Sequence, residues 1–261
     1  MVTSVSGPAV ESSRERIEYV RGWLPAPPIV LLPGLFAGSW IWTPAMNHLA
    51  ALGYSILQIV EPFAALDTKT ASIDVLRRML IDALDEHGIE RAVLCGNSLG
   101  ALVALDITAR HPDRVKALVI SGCPGLGETP NLGLRRSGDM SRHNADFIAD
   151  QLFYDRSAIP EALIERSFAV ALDRRCAMNM LRYVLAIRKY NVRECLVRIQ
   201  CEVSMIWGEQ DSIAPIEEWE ENLHLISHAT LHKVSRCGHS PMIERPAEFN
   251  AILAKFIIEQ G

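Results

Sequence analysis

The sequence predicts an α/β protein, a mostly parallel, doubly wound sheet with an inserted helical segment. Short apolar runs alternate with helical patterns from Pro28 to Ser121, the alternation stops between about Pro124 and Val197, and apolar runs resume at Cys201. Such alternation implies parallel strands, because each parallel connection needs a crossover and the crossover is usually a helix.

Arg16 to Gly22 is an edge strand, Pro28 to Leu32 the first central parallel strand, and Ser55 to Val60 the next. Helical periodicity covers Thr43 to Leu52 and Ser72 to His87. Arg91 to Cys95 has the length and composition of a buried strand, and Ala101 to Arg110 reads as a helix that stops at His111-Pro112. Val115 to Ser121 is another buried strand, and Cys201 to Trp207 and Thr230 to Val234 complete the set. The expected organisation is a mobile polar lead-in over 1–16, a core built from 17–123 and 198–261, and a helical cap inserted over 124–197. No internal repeat or low-complexity tract is evident.

Composition bounds the function. A chain of 261 residues can bury one large core, and no stretch approaches the roughly 18 consecutive apolar residues of a membrane span. The first residues lack the apolar centre of a secretion signal. Six scattered cysteines without Cys-x-x-Cys spacing point to reduced thiols and a cytoplasmic location rather than a disulfide framework. A net charge of −5 with no basic stripe argues against nucleic acid, and no membrane partner is expected. Oligomeric state is not legible.

The chemistry-bearing motif is Gly96-Asn97-Ser98-Leu99-Gly100, between a strand and a helix. A serine flanked by glycines at such a turn sits on strained backbone that pushes its hydroxyl outward, next to unpaired N–H groups at the helix N-terminus. Two further pieces follow: Trp207-Gly208-Glu209-Gln210-Asp211 after one apolar run, and Cys237-Gly238-His239 after another. Serine, acid and histidine thus each lie just past a strand's C-terminal end, where active groups of parallel sheets gather. Asp211 competes with Glu209 for the acid, while Ser121-Gly122-Cys123-Pro124 offers no carboxylate after the preceding strand.

With these motifs in view, the chain resembles the α/β-hydrolase superfamily from about Ile17 to Phe256. The resemblance is carried by Leu31-Leu32-Pro33-Gly34 with Trp40, by Gly96 to Gly100, by Trp207-Gly208 with Asp211, and by Gly238-His239 with Glu244-Arg245-Pro246. It implies a triad of Ser98, His239 and Asp211, with the backbone N–H groups of Leu35 and Leu99 as the oxyanion hole and Asp211 as the acid. Pro33 stands where relatives usually carry histidine, which alters the oxyanion loop without deleting a donor. Leu152-Phe153-Tyr154-Asp155 through Leu163 and Arg166-Ser167-Phe168 is similar to caps of meta-cleavage-product hydrolases, which cut carbon–carbon bonds in vinylogous diketo acids. Those enzymes usually have a glycine-rich oxyanion loop, a second glycine after the elbow and a tryptophan after the histidine. This chain has Leu35-Phe36-Ala37, Ala101 and Ser240.

The expected activity is therefore hydrolysis of an ester or thioester of a small to medium organic acid through an acyl-serine. The alternatives are a carbon–carbon hydrolase or small-molecule tailoring enzyme and, in another class, a non-catalytic binder, which the filled triad disfavours. No cofactor is implied and no metal site: His224 and His228 are four apart but have no third ligand nearby, and Gly122, Gly125 and Gly127 match no phosphate loop. Residues 124–200 hold twelve Lys or Arg against nine Asp or Glu, a net of +3 against −8 elsewhere. That asymmetry suggests a small anionic substrate met by cap arginines, with Arg174 and Arg175 leading. Trp40 and Trp42 read as packing.

Overall fold

Seven strands form one sheet in the order β1-β3-β2-β4-β5-β6-β7. They are β1 (Ile17–Val20), β2 (Ile29–Leu32), β3 (Ile56–Ile59), β4 (Ala92–Asn97), β5 (Val115–Ser121), β6 (Val203–Gly208) and β7 (Ala229–Val234). All neighbours run parallel except β1, which pairs antiparallel with β3 through Ile17↔Ile59 and Val20↔Ile56. The computed structural model describes residues 17–66, 71–127 and 148–260. The expected lead-in, 1–16, and residues 128–147 of the expected insertion lie outside these.

Strand composition follows from what covers the sheet. Every residue of β2 and β4 is buried, so β2 reads as a continuous apolar run, as does β4 from Ala92 to Cys95. Within them side chains alternate between two cores. Val30, Leu32 and Leu94 face one side with Leu118 and Ile120, while Ile29, Leu31, Val93 and Cys95 face the other. The first core is closed by α2 (Ile73–Glu86) and α3 (Leu99–Arg110), the second by α1 (Thr43–Ala51) and α10 (Pro246–Glu259). Each fully buried leucine or isoleucine contributes about 1.5–3 kcal/mol.

Helix α3 is buried from Leu99 to Ala109, which accounts for its nearly unbroken apolar sequence. Asp106 and Thr108 are the polar exceptions, and Asp106 is wholly buried. Arg77 of α2 donates to its Oδ2 at 2.8 Å, Arg110 donates to Oδ1 at 2.7 Å, and the Tyr190 hydroxyl donates to Oδ1 as well. Tyr190 lies among the helices inserted between β5 and β6, so this carboxylate ties them to α3.

Among the described residues those inserted helices are α4 (148–152), α5 (Glu161–Leu172), α6 (Arg174–Lys189) and α7 (Val192–Leu196). Asp173 caps α6 by accepting the N–H of Cys176 at 2.8 Å, and Asn179 donates to the carbonyls of Ala64 at 3.0 Å and Leu66 at 3.3 Å. Two further α-helices among the described residues are α8 (Ile216–Asn222) and α9 (Pro241–Glu244). All six cysteines are free, and among the described residues no helix is long and apolar enough to cross a membrane.

Removing a buried ion-pair partner strands the opposite charges, though Arg110 is half exposed and can rehydrate. Asp106→Ala is expected to lower unfolding free energy in urea by about 3 kcal/mol.

Candidate functional site

The site begins where the strand order reverses. The chain passes from β2 outward to β3 and then crosses to β4 on β2's other side, which opens a crevice between the loops that leave β2 and β4. Ser98 stands at the end of β4 with φ 56° and ψ −123°, a left-handed backbone that costs a non-glycine residue about 1–3 kcal/mol. Two glycines make the turn possible. A Cβ on Gly96 would lie 2.4 Å from the carbonyl oxygen of Gly100, and one on Gly100 would lie 2.3 Å from that of Leu32. The Ser98 N–H donates to the Ser121 carbonyl at 2.9 Å, which anchors the turn to β5.

Leu99 opens α3, so its N–H is among the four that have no partner within the helix. Leu35 follows Gly34, whose hypothetical Cβ would lie 3.2 Å from that of Ser98. The structure thus brings the Pro33-to-Leu35 loop, Ser98 and Leu99 to one wall of a single cavity, which Leu35, Ser98 and Leu99 line together with His239.

Asp211 and His239 meet across the ends of β6 and β7. His239 Nδ1 lies 2.9 Å from Oδ2 and 3.0 Å from Oδ1 of Asp211. A carboxylate can only accept, so Nδ1 carries the hydrogen and Nε2 is left as the basic nitrogen. Asp211 is itself held, since its Oδ1 accepts the N–H groups of Ile213 and Ala214, both at 2.9 Å. Both side chains are almost wholly buried. Glu209, the competing acid, is elsewhere: its Oε2 accepts the Ser235 hydroxyl at the surface, 2.7 Å away.

Three residues not singled out as functional by sequence shape the histidine's seat. Asn97 donates to the carbonyls of His239 at 3.0 Å and Ser121 at 3.3 Å, which links elbow and histidine loop. Gly122, at φ 57°, lies against the imidazole, where a Cβ would fall 2.7 Å from both Cε1 and Nδ1. Glu244 is buried in α9; its Oε1 accepts the N–H of Gly238 at 3.0 Å and of Ser240 at 3.3 Å, and its Oε2 accepts the N–H of Tyr154 at 2.8 Å. The N–H of His239 donates to the Leu152 carbonyl at 2.8 Å. An acidic residue directly after the apolar Pro241-Met242-Ile243 was the available signal for Glu244, and a polar residue ending an apolar strand was the signal for Asn97.

The cavity wall is apolar. Phe36, Ile148, Leu152, Phe153, Ile164, Phe168, Val184, Ile187, Ile213 and Ile243 contribute most of it, with Asn97, Ser98, Ser167, His239 and Ser240 as the polar side chains. Among the described residues no Lys or Arg lines it. Arg174 and Arg175, expected to meet the substrate, are not brought to the cavity. They begin α6 at the surface, beside a separate hollow shared with Met178 and Arg182, and Arg175 donates to the Ala65 carbonyl at 3.4 Å. The physical reason is helical phase: Cys176, Met180, Tyr183, Val184 and Ile187 take the inward face of α6 and turn both arginines out. Arg166 of α5 stacks on the Trp40 ring at 4.3 Å, while Trp42 is packing as expected. His224 bonds to the Glu221 carbonyl at 2.9 Å, while His228 lies 3.7 Å from Glu202, so the two do not converge.

A family model described as alpha/beta hydrolase family matches residues 29–252. The 2-hydroxy-6-oxo-6-phenylhexa-2,4-dienoate hydrolase of Comamonas testosteroni is 28% identical over 68% of this chain, and the match spans 65% of that protein, just under two thirds. The 2-hydroxy-6-oxononadienedioate/2-hydroxy-6-oxononatrienedioate hydrolase of Burkholderia vietnamiensis is 27% identical over 88% of this chain and 86% of its own length. Among solved structures, an alpha/beta hydrolase enzyme from a metagenome of lagoon sediments at Mar Chica, Morocco, superposes with a TM-score of 0.71 at 27% identity, covering 94% of this chain and 95% of that one.

Because Glu244 holds the backbone on both sides of His239, Glu244→Ala is expected to lower kcat about a hundredfold through misplacement of the imidazole. Glu244→Gln keeps an acceptor for Gly238 and Ser240 and should lose far less; steady-state kinetics of the two variants checks this.

Proposed function

The chain belongs to the alpha/beta hydrolase family, and on that premise we propose that it is a serine hydrolase with Ser98 as nucleophile, His239 as base and Asp211 as the acid that orients the base. The observation that carries this is the buried Asp211–His239 pair opening onto the same cavity as the strained Ser98 turn. His239 Nε2 takes the hydroxyl proton as Ser98 Oγ bonds to a substrate carbonyl carbon. The N–H groups of Leu35 and Leu99 receive the oxyanion, and such a donor is typically worth about 3 kcal/mol. Collapse breaks the bond to the leaving group, which takes the proton from His239, and water then frees the acyl group with His239 again as base.

For the bond that breaks, the first reading is carbon–carbon hydrolysis beside a ketone. Relatives named for 2-hydroxy-6-oxo-dienoate substrates support it, one of them aligned over 88% of the chain. The second reading, an ester or thioester of an apolar acid, is favoured by the cavity: a dienoate carboxylate finds no Lys or Arg among the described lining residues. The departures at Leu35-Phe36-Ala37, Ala101 and Ser240 favour it too. The helices between β5 and β6 act as the cap in either case.

Ser98→Ala is expected to abolish turnover while leaving the thermal midpoint nearly unchanged, because alanine keeps the Cβ and only the hydroxyl is lost. A fluorophosphonate should label the wild type alone, and equal labelling of the variant would remove Ser98 from the mechanism. Turnover of a dienol diketo acid against a series of nitrophenyl esters separates the two bonds. Preference for the diketo acid supports the first reading, and preference for an uncharged medium-chain ester supports the second.

A further inference from the structure

Among the described residues no cation of the inserted segment lines the cavity, and α6 shows where its own cations go. This helix carries Arg174, Arg175, Arg182, Arg188 and Lys189 and no acidic residue. Its outward face is also apolar: Met178 is 50% exposed, Leu181 52% and Leu185 46%. At about 100° per residue these three side chains fall within a stripe about 60° wide, with Arg188 along one edge and Arg182 and Lys189 along the other. A narrow apolar stripe edged by long cationic side chains is the pattern of a helix lying in a lipid–water interface, the apolar groups entering the acyl boundary while the cations reach phosphate.

We propose that the outer face of α6 docks the protein on an anionic lipid surface. Charge complementarity selects this occupant. Clusters of four to eight Lys or Arg on an amphipathic helix bind anionic headgroups, and α6 supplies five. The rest of the chain carries −8 against +3 for residues 124–200, so an anionic surface attracts this face and repels the remainder. A second copy is disfavoured, because a two-fold contact through α6 sets its cations against each other. The inward face of the same helix lines the cavity through Val184 and Ile187, so a substrate dissolved in lipid has one helix thickness, about 10 Å, to cross. The absence of a membrane partner, expected from the lack of a span, does not bear on a helix that lies on the surface.

Flotation of the full chain with phosphatidylcholine vesicles, with and without about 30 mol% phosphatidylglycerol, tests the proposal. Wild type should float with the anionic vesicles, stay off the neutral ones, and detach as salt shortens the screening length. Arg182→Gln, Arg188→Gln and Lys189→Gln together should weaken partitioning about a hundredfold, the equivalent of about 1 kcal/mol per cation at 1.4 kcal/mol per decade. Met178→Ser, Leu181→Ser and Leu185→Ser together should weaken it at unchanged salt dependence; if that triple variant fails to fold by circular dichroism, Leu181→Ser alone is read instead. Several results overturn the proposal: wild type free of anionic vesicles, equal binding to neutral ones, or a glutamine variant that still floats. Capture by polyglutamate without vesicle binding would assign the face to an acidic protein. A concentration-dependent dimer in sedimentation, lost in the serine variant, would assign it to a second copy.

Discussion

The backbone turn at Ser98 is the constraint on which the rest of the site depends. A positive φ at a non-glycine residue persists only when its surroundings over-determine it, and here they do. β4 is buried along its whole length, Gly96 and Gly100 allow the turn to close against the carbonyl of Leu32, and the Ser98 N–H is held by Ser121. With no room to relax, the chain must present the serine side chain and the first N–H groups of α3 to the crevice beside β2. The packing that stabilises the core is thus the same packing that orients the Ser98 side chain.

The histidine is positioned differently, by hydrogen bonds to a loop rather than by a strained strand end. Asp211 holds the ring, Asn97 the carbonyl, Leu152 the amide, and Glu244 the amides on either side. Two of these contacts reach the segment between β5 and β6, since Glu244 also accepts from Tyr154 and Leu152 lines the cavity. Displacing that segment strains the His239 loop directly. At its far end the same segment is tied to α3 through Tyr190 and Asp106. The insertion is therefore fastened both to the helix that follows Ser98 and to the loop that carries His239.

Charge and polarity are divided between the two faces of the inserted helices. Inward, Val184 and Ile187 of α6 complete an apolar wall; outward, its arginines and lysine meet water. A buried guanidinium without a partner costs several kcal/mol, so a segment that must line an apolar cavity turns its cations away from it. Net charge summed along sequence is blind to this division.

Much of the fold was legible before any coordinates, because strand periods and turn residues are local. β5 spans the predicted Val115 to Ser121, α1 and α2 fall within a residue of their predicted bounds, and Ser72 caps α2 through the N–H of Val75. The order of Ser98, Asp211 and His239 past three strand ends was legible for the same reason, since parallel strands bring their C-terminal ends to one edge. The tertiary structure alone decided that Glu244 and Asn97 hold the histidine loop and that Arg174 and Arg175 look outward. Each of these depends on the rotational phase of an element or on how separate loops pack together. Sequence by itself determined the periods and the chain order; only packing chose the phase, because facing the core or facing solvent is a relation between elements and not a property of any one of them.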